Sequence, residues 1–291
     1  MIRATHSGLN DLVSQHMAKL STRMRVIEEQ SVTGKRVNRP SDDPAIISEV
    51  HRLYGSIEDQ TVYVKNADSA NSLLSQADNT LAGVADLLIR AREIAVAMAS
   101  DTMTAAERTN TAPEVQGLYD SLVQLSNTNI DGRYIFSGDA YQNAAFSAAG
   151  VYGGANTTPS TRISESQWAQ NGFDGSQVFQ GAIDTFAVLN TFVLDLQANN
   201  VAGIQNAIGD IDTAFDQNSF WRSTVGAEVN AAEDAVEIAE GMGSLLSTRL
   251  DQLINIDETE TYLNLNDIRN TYESVLRVSA TSNQTSLFEL I

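Results

Sequence analysis

The stretch Thr33-Gly34-Lys35-Arg36-Val37-Asn38-Arg39-Pro40-Ser41-Asp42-Asp43-Pro44-Ala45 separates two long runs of helical periodicity. Gly34 can take the left-handed conformation that closes a helix, and Pro40 pushes Arg39 out of the helical region. The chain therefore cannot run through as one helix. Ser41, Asp42 and Asp43 offer side-chain acceptors to the start of a new one, and Pro44 fits its first turn, where a missing amide hydrogen costs nothing. The segment reads as a helix stop, a polar elbow and a helix start.

On the N-terminal side, Leu9, Leu12, Met17, Leu20, Met24 and Ile27 recur at helical spacing and predict one amphipathic helix ending at Gly34. Beyond the elbow, Ile46, Val50, Leu53, Ile57, Val64 and Ala67, then Leu74, Ala77, Leu81, Val84, Leu88, Ala91, Ala95 and Met98, keep a three-four alternation with no proline from Ala45 to Ser100. This is a heptad seam, with a slip between Val64 and Ala70 that reads as a change of partner. A helix of about 55 residues would rise to roughly 80 Å, which calls for packing along its length.

Thr104-Ala105-Ala106-Glu107 is a capping box, and Thr111-Ala112-Pro113-Glu114 predicts a restart of the helix at the proline. Val115, Leu118, Leu122 and Leu125 carry the apolar face of a return helix. From Gly132-Arg133-Tyr134-Ile135-Phe136-Ser137-Gly138 to about Gly181 the pattern turns strand-like, and the composition shifts to Gly, Ser, Ala, Asn and Thr with short apolar pieces such as Val151-Tyr152 and Val178-Phe179. Helical period resumes with Ile183, Phe186, Leu189, Val193 and Leu196, continues through Ile204, Ile208 and Ile211, and leads to the seam Val225 to Leu253. Leu265, Ile268, Tyr272, Val275 and Leu276 follow, before the apolar Leu287-Phe288-Glu289-Leu290-Ile291. The fold class is mainly α: an elongated antiparallel bundle or coiled coil of N- and C-terminal regions with a small β-rich insert. The division is residues 1–44 with 250–291 as a terminal coiled-coil region, 45–136 with 181–249 as a helical rod, and 137–180 as an outer insert free to vary.

Charge excludes several function classes. The 291 residues carry a net charge of −19 with only 18 Lys and Arg, too few for a phosphate-neutralising patch, so neither nucleic acid nor an anionic membrane is an expected partner. No apolar run reaches the roughly 20 residues that span a bilayer, and residues 1–8 lack the apolar centre of a cleaved signal peptide. The charge is uneven. Residues 1–66 hold 9 basic against 8 acidic side chains, and residues 200–291 hold 4 against 15, which predicts that the two ends attract one another.

No catalytic or metal chemistry emerges. His6, His16 and His51 are too scattered for a helical zinc pair and read as polar-face residues, and the chain has no cysteine. Asp210-Ile211-Asp212 with Asp216 lacks the glycine and terminal glutamate of a calcium loop and reads as a solvated helix end. No nucleophile elbow or phosphate loop is present, so neither an enzymatic activity nor a cofactor is expected.

Three stretches in the same order resemble the flagellar hook-associated protein 3 family, relatives of flagellin: the elbow from Thr33 to Ala45, the segment Gly132 to Gly138, and the region from Arg249-Leu250-Asp251 through Leu287-Phe288-Glu289-Leu290. The resemblance implies an extracellular structural subunit of the bacterial flagellum at the hook–filament junction, built as a terminal coiled coil inside, a bundle next and a variable lobe outermost. It also implies passage through the flagellar export route without a cleaved signal, self-assembly, contact with flagellin and another hook-associated junction protein, and an export chaperone at the C-terminus. A flagellin and a cytoplasmic acidic coiled-coil adaptor are the alternatives. The candidate assembly residues are Leu9, Leu20, Met24, Ile27, Leu265, Ile268, Leu287, Phe288, Leu290 and Ile291, which have only each other or neighbouring subunits to bury against. Arg39 and Asp42 of the elbow join them, either as subunit contacts or as capping and loop residues.

Overall fold

A computed structural model describes the backbone of residues 2–288 and the side-chain surroundings of residues 11–280. Seven α-helices dominate: α1 (Ile2–Thr33), α2 (Pro44–Met98), α3 (Ala105–Ser126), α4 (Gly175–Gln180), α5 (Thr185–Gln197), α6 (Val201–Ile254) and α7 (Glu258–Phe288). Between α3 and α4 lie two antiparallel ladders, β1 (Asn129–Ile130) with β2 (Arg133–Tyr134) and β3 (Ser160–Arg162) with β4 (Trp168–Gln170). At 74% helix with two small sheets the mainly α class holds, and strand in the insert is sparse. The chain forms two units, one made of residues through Glu58 and from Gly243 onward, the other of Asp59–Met242.

In the larger unit the seam of α2 is buried as its spacing requires, from Ala67 through Leu74, Ala77, Leu81, Val84, Leu88 and Ala91 to Ala95. Leu73, Ala85, Leu87 and Ile94 are buried beside it, so the apolar face is wider than a two-helix seam. The extra width is covered by a common core that includes Val115 and Leu122 of α3, Leu189 and Leu196 of α5, and Ile204, Ile211 and Val225 of α6.

The segment between α3 and α5 belongs to the same core. Phe136, Phe146, Phe173 and Phe179 are buried with Phe186 of α5, and their rings meet at 4.7 Å (Phe146–Phe186), 5.1 Å (Phe136–Phe179) and 5.5 Å (Phe146–Phe179). A small-residue composition concealed a few widely spaced aromatics, each of which buries a large apolar area. Val178 and Phe179, expected in a strand-like piece, lie in α4, because the Asp174 carboxylate accepts the Ser176 amide at 2.9 Å and starts a helix there.

Two other expectations change. The helix does not restart at Pro113: α3 runs through it, and Ala112 and Val115 on either side are fully buried, so a break would expose both. The lost hydrogen bond and ring clash of an interior proline cost about 3 kcal/mol, which that packing must offset. Asp210, Asp212 and Asp216 sit inside α6 rather than at a helix end, and Asp212 pairs with Arg92 at 2.5 Å. The capping box stands as read, with the Thr104 hydroxyl accepting the Glu107 amide and the Glu107 carboxylate accepting the Thr104 amide at 2.7 Å.

Arg108 was not legible as a core residue. It is buried, and its guanidinium donates to the carbonyls of Met98 (2.9 Å) and Ser100 (2.8 Å) and to Asn199 Oδ1 (2.7 Å). It thereby satisfies the Met98 carbonyl at the end of α2 and adds a second donor to the Ser100 carbonyl, which also accepts the Met103 amide. Arg108→Ala is expected to lower unfolding free energy by about 3 kcal/mol, with Arg108→Lys intermediate, in urea titrations followed by circular dichroism. A separate outcome concerns pH. Hydrogen bonds from Thr104 hold the Glu107 carboxyl below its ordinary value of 4.5, so the box stabilises above that pH and its contribution disappears as pH falls through the lowered value. Glu107→Gln should therefore narrow the difference in thermal midpoint between pH 7 and pH 3.

Candidate assembly interface

The smaller unit begins at the elbow. Gly34 has φ +71°, and its amide donates to the Gln30 carbonyl at 2.8 Å, closing α1 as the sequence requires. Asp43 Oδ1 accepts the Ile46 amide at 3.2 Å and caps α2, with Pro44 as its first residue. Asp42 does something else. Its Oδ2 accepts the amides of Asn38 (3.1 Å) and Arg39 (2.8 Å), folding the elbow back on itself. Arg39 reaches α1 and donates Nη2 to both carboxylate oxygens of Glu29, at 3.0 and 3.1 Å. This exposed pair adds only about 0.2–1 kcal/mol, so its effect is to orient the loop. Val37 is the elbow's buried anchor.

A second elbow, Asn255-Ile256-Asp257, joins α6 to α7, and Asp257 Oδ1 caps α7 by accepting the amides of Thr259 (2.9 Å) and Glu260 (3.1 Å). The two elbows are joined to each other. Lys35 and Asn255 form an antiparallel bridge in which the Arg36 amide donates to the Ile254 carbonyl at 2.6 Å and the Ile256 amide to the Gly34 carbonyl at 3.1 Å. Arg36 Nη2 adds a bond to the Leu253 carbonyl at 3.1 Å, and Gln30 Nε2 donates to the Arg36 carbonyl at 2.8 Å. Beside this clasp, Val50 and Leu53 of α2 pack with Leu250 and Ile254 of α6 in a small separate core, each side chain gaining about 1.5–3 kcal/mol on full burial. Sequence reading missed the clasp because backbone pairing between residues more than two hundred positions apart leaves no periodic signal. The Asp257-Glu258 pair ahead of a periodic run was the available sign of the second elbow.

Helix α7 packs along α1. Leu265 and Ile268 are buried, and Leu20, Met24 and Ile27 are half-buried. The structure thus brings these five candidate residues onto the pair of terminal helices, while Arg39 and Asp42 are exposed in the elbow. The side chains of Leu9, Leu287, Phe288, Leu290 and Ile291 lie outside the described residues. Large apolar side chains that sequence reading left aside remain exposed on the same two helices, among them Val26, Val32, Tyr262 and Leu263.

The expected attraction between the basic N-terminal and acidic C-terminal regions takes an unexpected form. Among the described residues of this unit, the ion pairs linking them join an acid of the first region to a base of the second: Glu28 with Arg269 at 3.1 Å, and Glu49 with Arg249 at 3.7 Å. Local geometry, not bulk charge, selects the partners.

Residues 9–140 match the family described as the bacterial flagellin N-terminal helical region. The flagellar hook-associated protein 3 of Salmonella typhimurium is 26% identical over 80% of this chain and 73% of its own length, and that of Escherichia coli 27% identical over the same shares. This chain is similar to hook-associated protein 3 over most of its length. The fold agrees: the flagellar hook-associated protein 3 structure from Legionella pneumophila superposes with TM-score 0.62 at 16% identity, covering 71% of this chain and 98% of that one.

The clasp generates a test. A β-branched residue at the left-handed Gly34 costs about 1–2 kcal/mol, whereas asparagine tolerates that conformation. Gly34→Val is expected to lower the thermal midpoint and speed hydrogen exchange at the Ile256 amide, with Gly34→Asn near wild type in both.

Proposed function

We propose that this chain is a structural subunit of the bacterial flagellum that polymerises at the hook–filament junction. The observation that carries the proposal is the similarity to hook-associated protein 3 over 80% of the chain. Paired helices with exposed Val26, Val32, Tyr262 and Leu263 suit a protein that completes its burial by packing against other subunits. Contacts with flagellin on one side and another hook-associated junction protein on the other follow from that position. So does export through the flagellar route without a cleaved signal. The three-part division, with residues 1–44 and 250–291 innermost and 137–180 outermost, is part of the same proposal, as are the roles of Leu9, Leu20, Met24, Ile27, Arg39, Asp42, Leu265 and Ile268 at subunit contacts.

The apolar positions Leu287, Phe288, Leu290 and Ile291 are proposed as a chaperone-shielded segment before export and an assembly segment after it. A flagellin would label along the whole filament, and a cytoplasmic adaptor would stay with the cell body. Antibody labelling of detached flagella should instead mark a single short zone between hook and filament. Cells lacking the chain should carry hooks without filaments and shed flagellin into the medium. Normal filaments in those cells would overturn the proposal. Removing residues 282–291 should leave the monomer's thermal midpoint within about 2 °C of wild type, because a change under about 0.5 kcal/mol shifts it little, while abolishing filament attachment.

A further inference from the structure

We infer that α1 and α7 carry complementary outer faces and that a second copy of this chain docks its α7 onto the α1 of the first, head to tail. The inference rests on the junction-subunit reading and adds which surfaces meet. On α1, Lys19, Arg23 and Val26 recur at i, i+4 and i+7 and are all exposed, along an open groove of about 670 Å³ whose lining also includes Ala18, Thr22 and Ile27. On α7, Glu260, Leu263 and Asp267 recur at i, i+3 and i+7 and are likewise exposed. Each face spans eight residues, about 10 Å of helix between its end positions, and each has one large apolar side chain beside charges of a single sign.

Among the described residues these charges form no ion pair within the chain. The acids of α1 nearest the basic face are already engaged, Glu28 by Arg269 and Glu29 by Arg39. Among the described residues no ion pair links Lys19, Arg23 or Arg25 to an acid. On α7, Glu258 and Glu260 have a local reason, since acids are favoured in the first turn of a helix, but Asp267 lies about two turns beyond Glu260. In a chain of net charge −19, a basic and apolar face is the surface least repelled by an acidic neighbour, and the matching acidic face is on the same molecule. Because the two faces differ, their contact is heterologous and repeats from copy to copy.

Charge reversal tests the pairing in cells lacking the chain. Wild type should restore filaments. The double variants Lys19→Glu/Arg23→Glu and Glu260→Lys/Asp267→Lys, each secreted at wild-type level, should each lower the fraction of filament-bearing cells by about tenfold or more, since opposed like charges cost several kcal/mol. Co-expressing the two should restore filaments, because alternating copies present opposite charges at every contact. Independently, in this cysteine-free chain, purified Thr22→Cys and Asn264→Cys proteins should form a disulfide-linked heterodimer when mixed and little dimer alone. Failure of wild type to restore filaments would remove the junction reading itself. Full activity of either reversed variant, no recovery on co-expression, or cross-linking of either cysteine variant with itself in preference to the other would overturn the pairing of faces while leaving that reading in place.

Discussion

The structure depends on one constraint, that helix α2 is unbroken from Pro44 to Met98. A continuous helix presents apolar positions every three or four residues, and α2 supplies Val50 and Leu53 to one core and Ala67 through Ala95 to another. A proline inside it would remove a helix hydrogen bond and cost about 3 kcal/mol.

Much of that was legible in the residues themselves. Three-four spacing placed the burial of Leu74, Leu81, Leu88 and Ala95 without a partner being known, and the chemistry of Gly34, Asp43 and Pro44 placed both helix ends of the first elbow. What periodicity does not encode is which surface a helix meets. Leu20, Met24, Ile27, Leu265 and Ile268 were identifiable as apolar faces, but their share of intramolecular burial depends on the α1–α7 pairing. Arg108 was hidden for the converse reason: a charged residue on a helix reads as solvated until the carbonyls of Met98 and Ser100 are seen to end beside it. Pro113 misled because a local breaker is overridden when the residues around it are buried. The aromatic set from Phe136 to Phe186 was diluted by the small residues between its members.

Net charge was informative about exclusions and misleading about pairs. With a net charge of −19 and only 18 basic residues, nucleic acid is not an expected partner, and that expectation uses only the totals. Ion pairs form over a few ångströms, within a Debye length of about 8–10 Å in physiological salt, so the side chains that happen to face each other decide them. The regional imbalance therefore remains available on the outside of the molecule, where long-range steering acts during association.

The bridge between the two elbows has a mechanical consequence. Two single-stranded linkers lying apart would each behave as a swivel, free to rotate about its own backbone bonds. Fastened by the Arg36–Ile254 and Ile256–Gly34 hydrogen bonds, with Arg36 and Gln30 adding side-chain links, they become a short ribbon. A ribbon flexes across its flat face but resists twisting, since torsion must shear the bonds that hold its edges together. The paired helices α1 and α7 are thereby held to the ends of α2 and α6 by a connection that bends more readily than it twists.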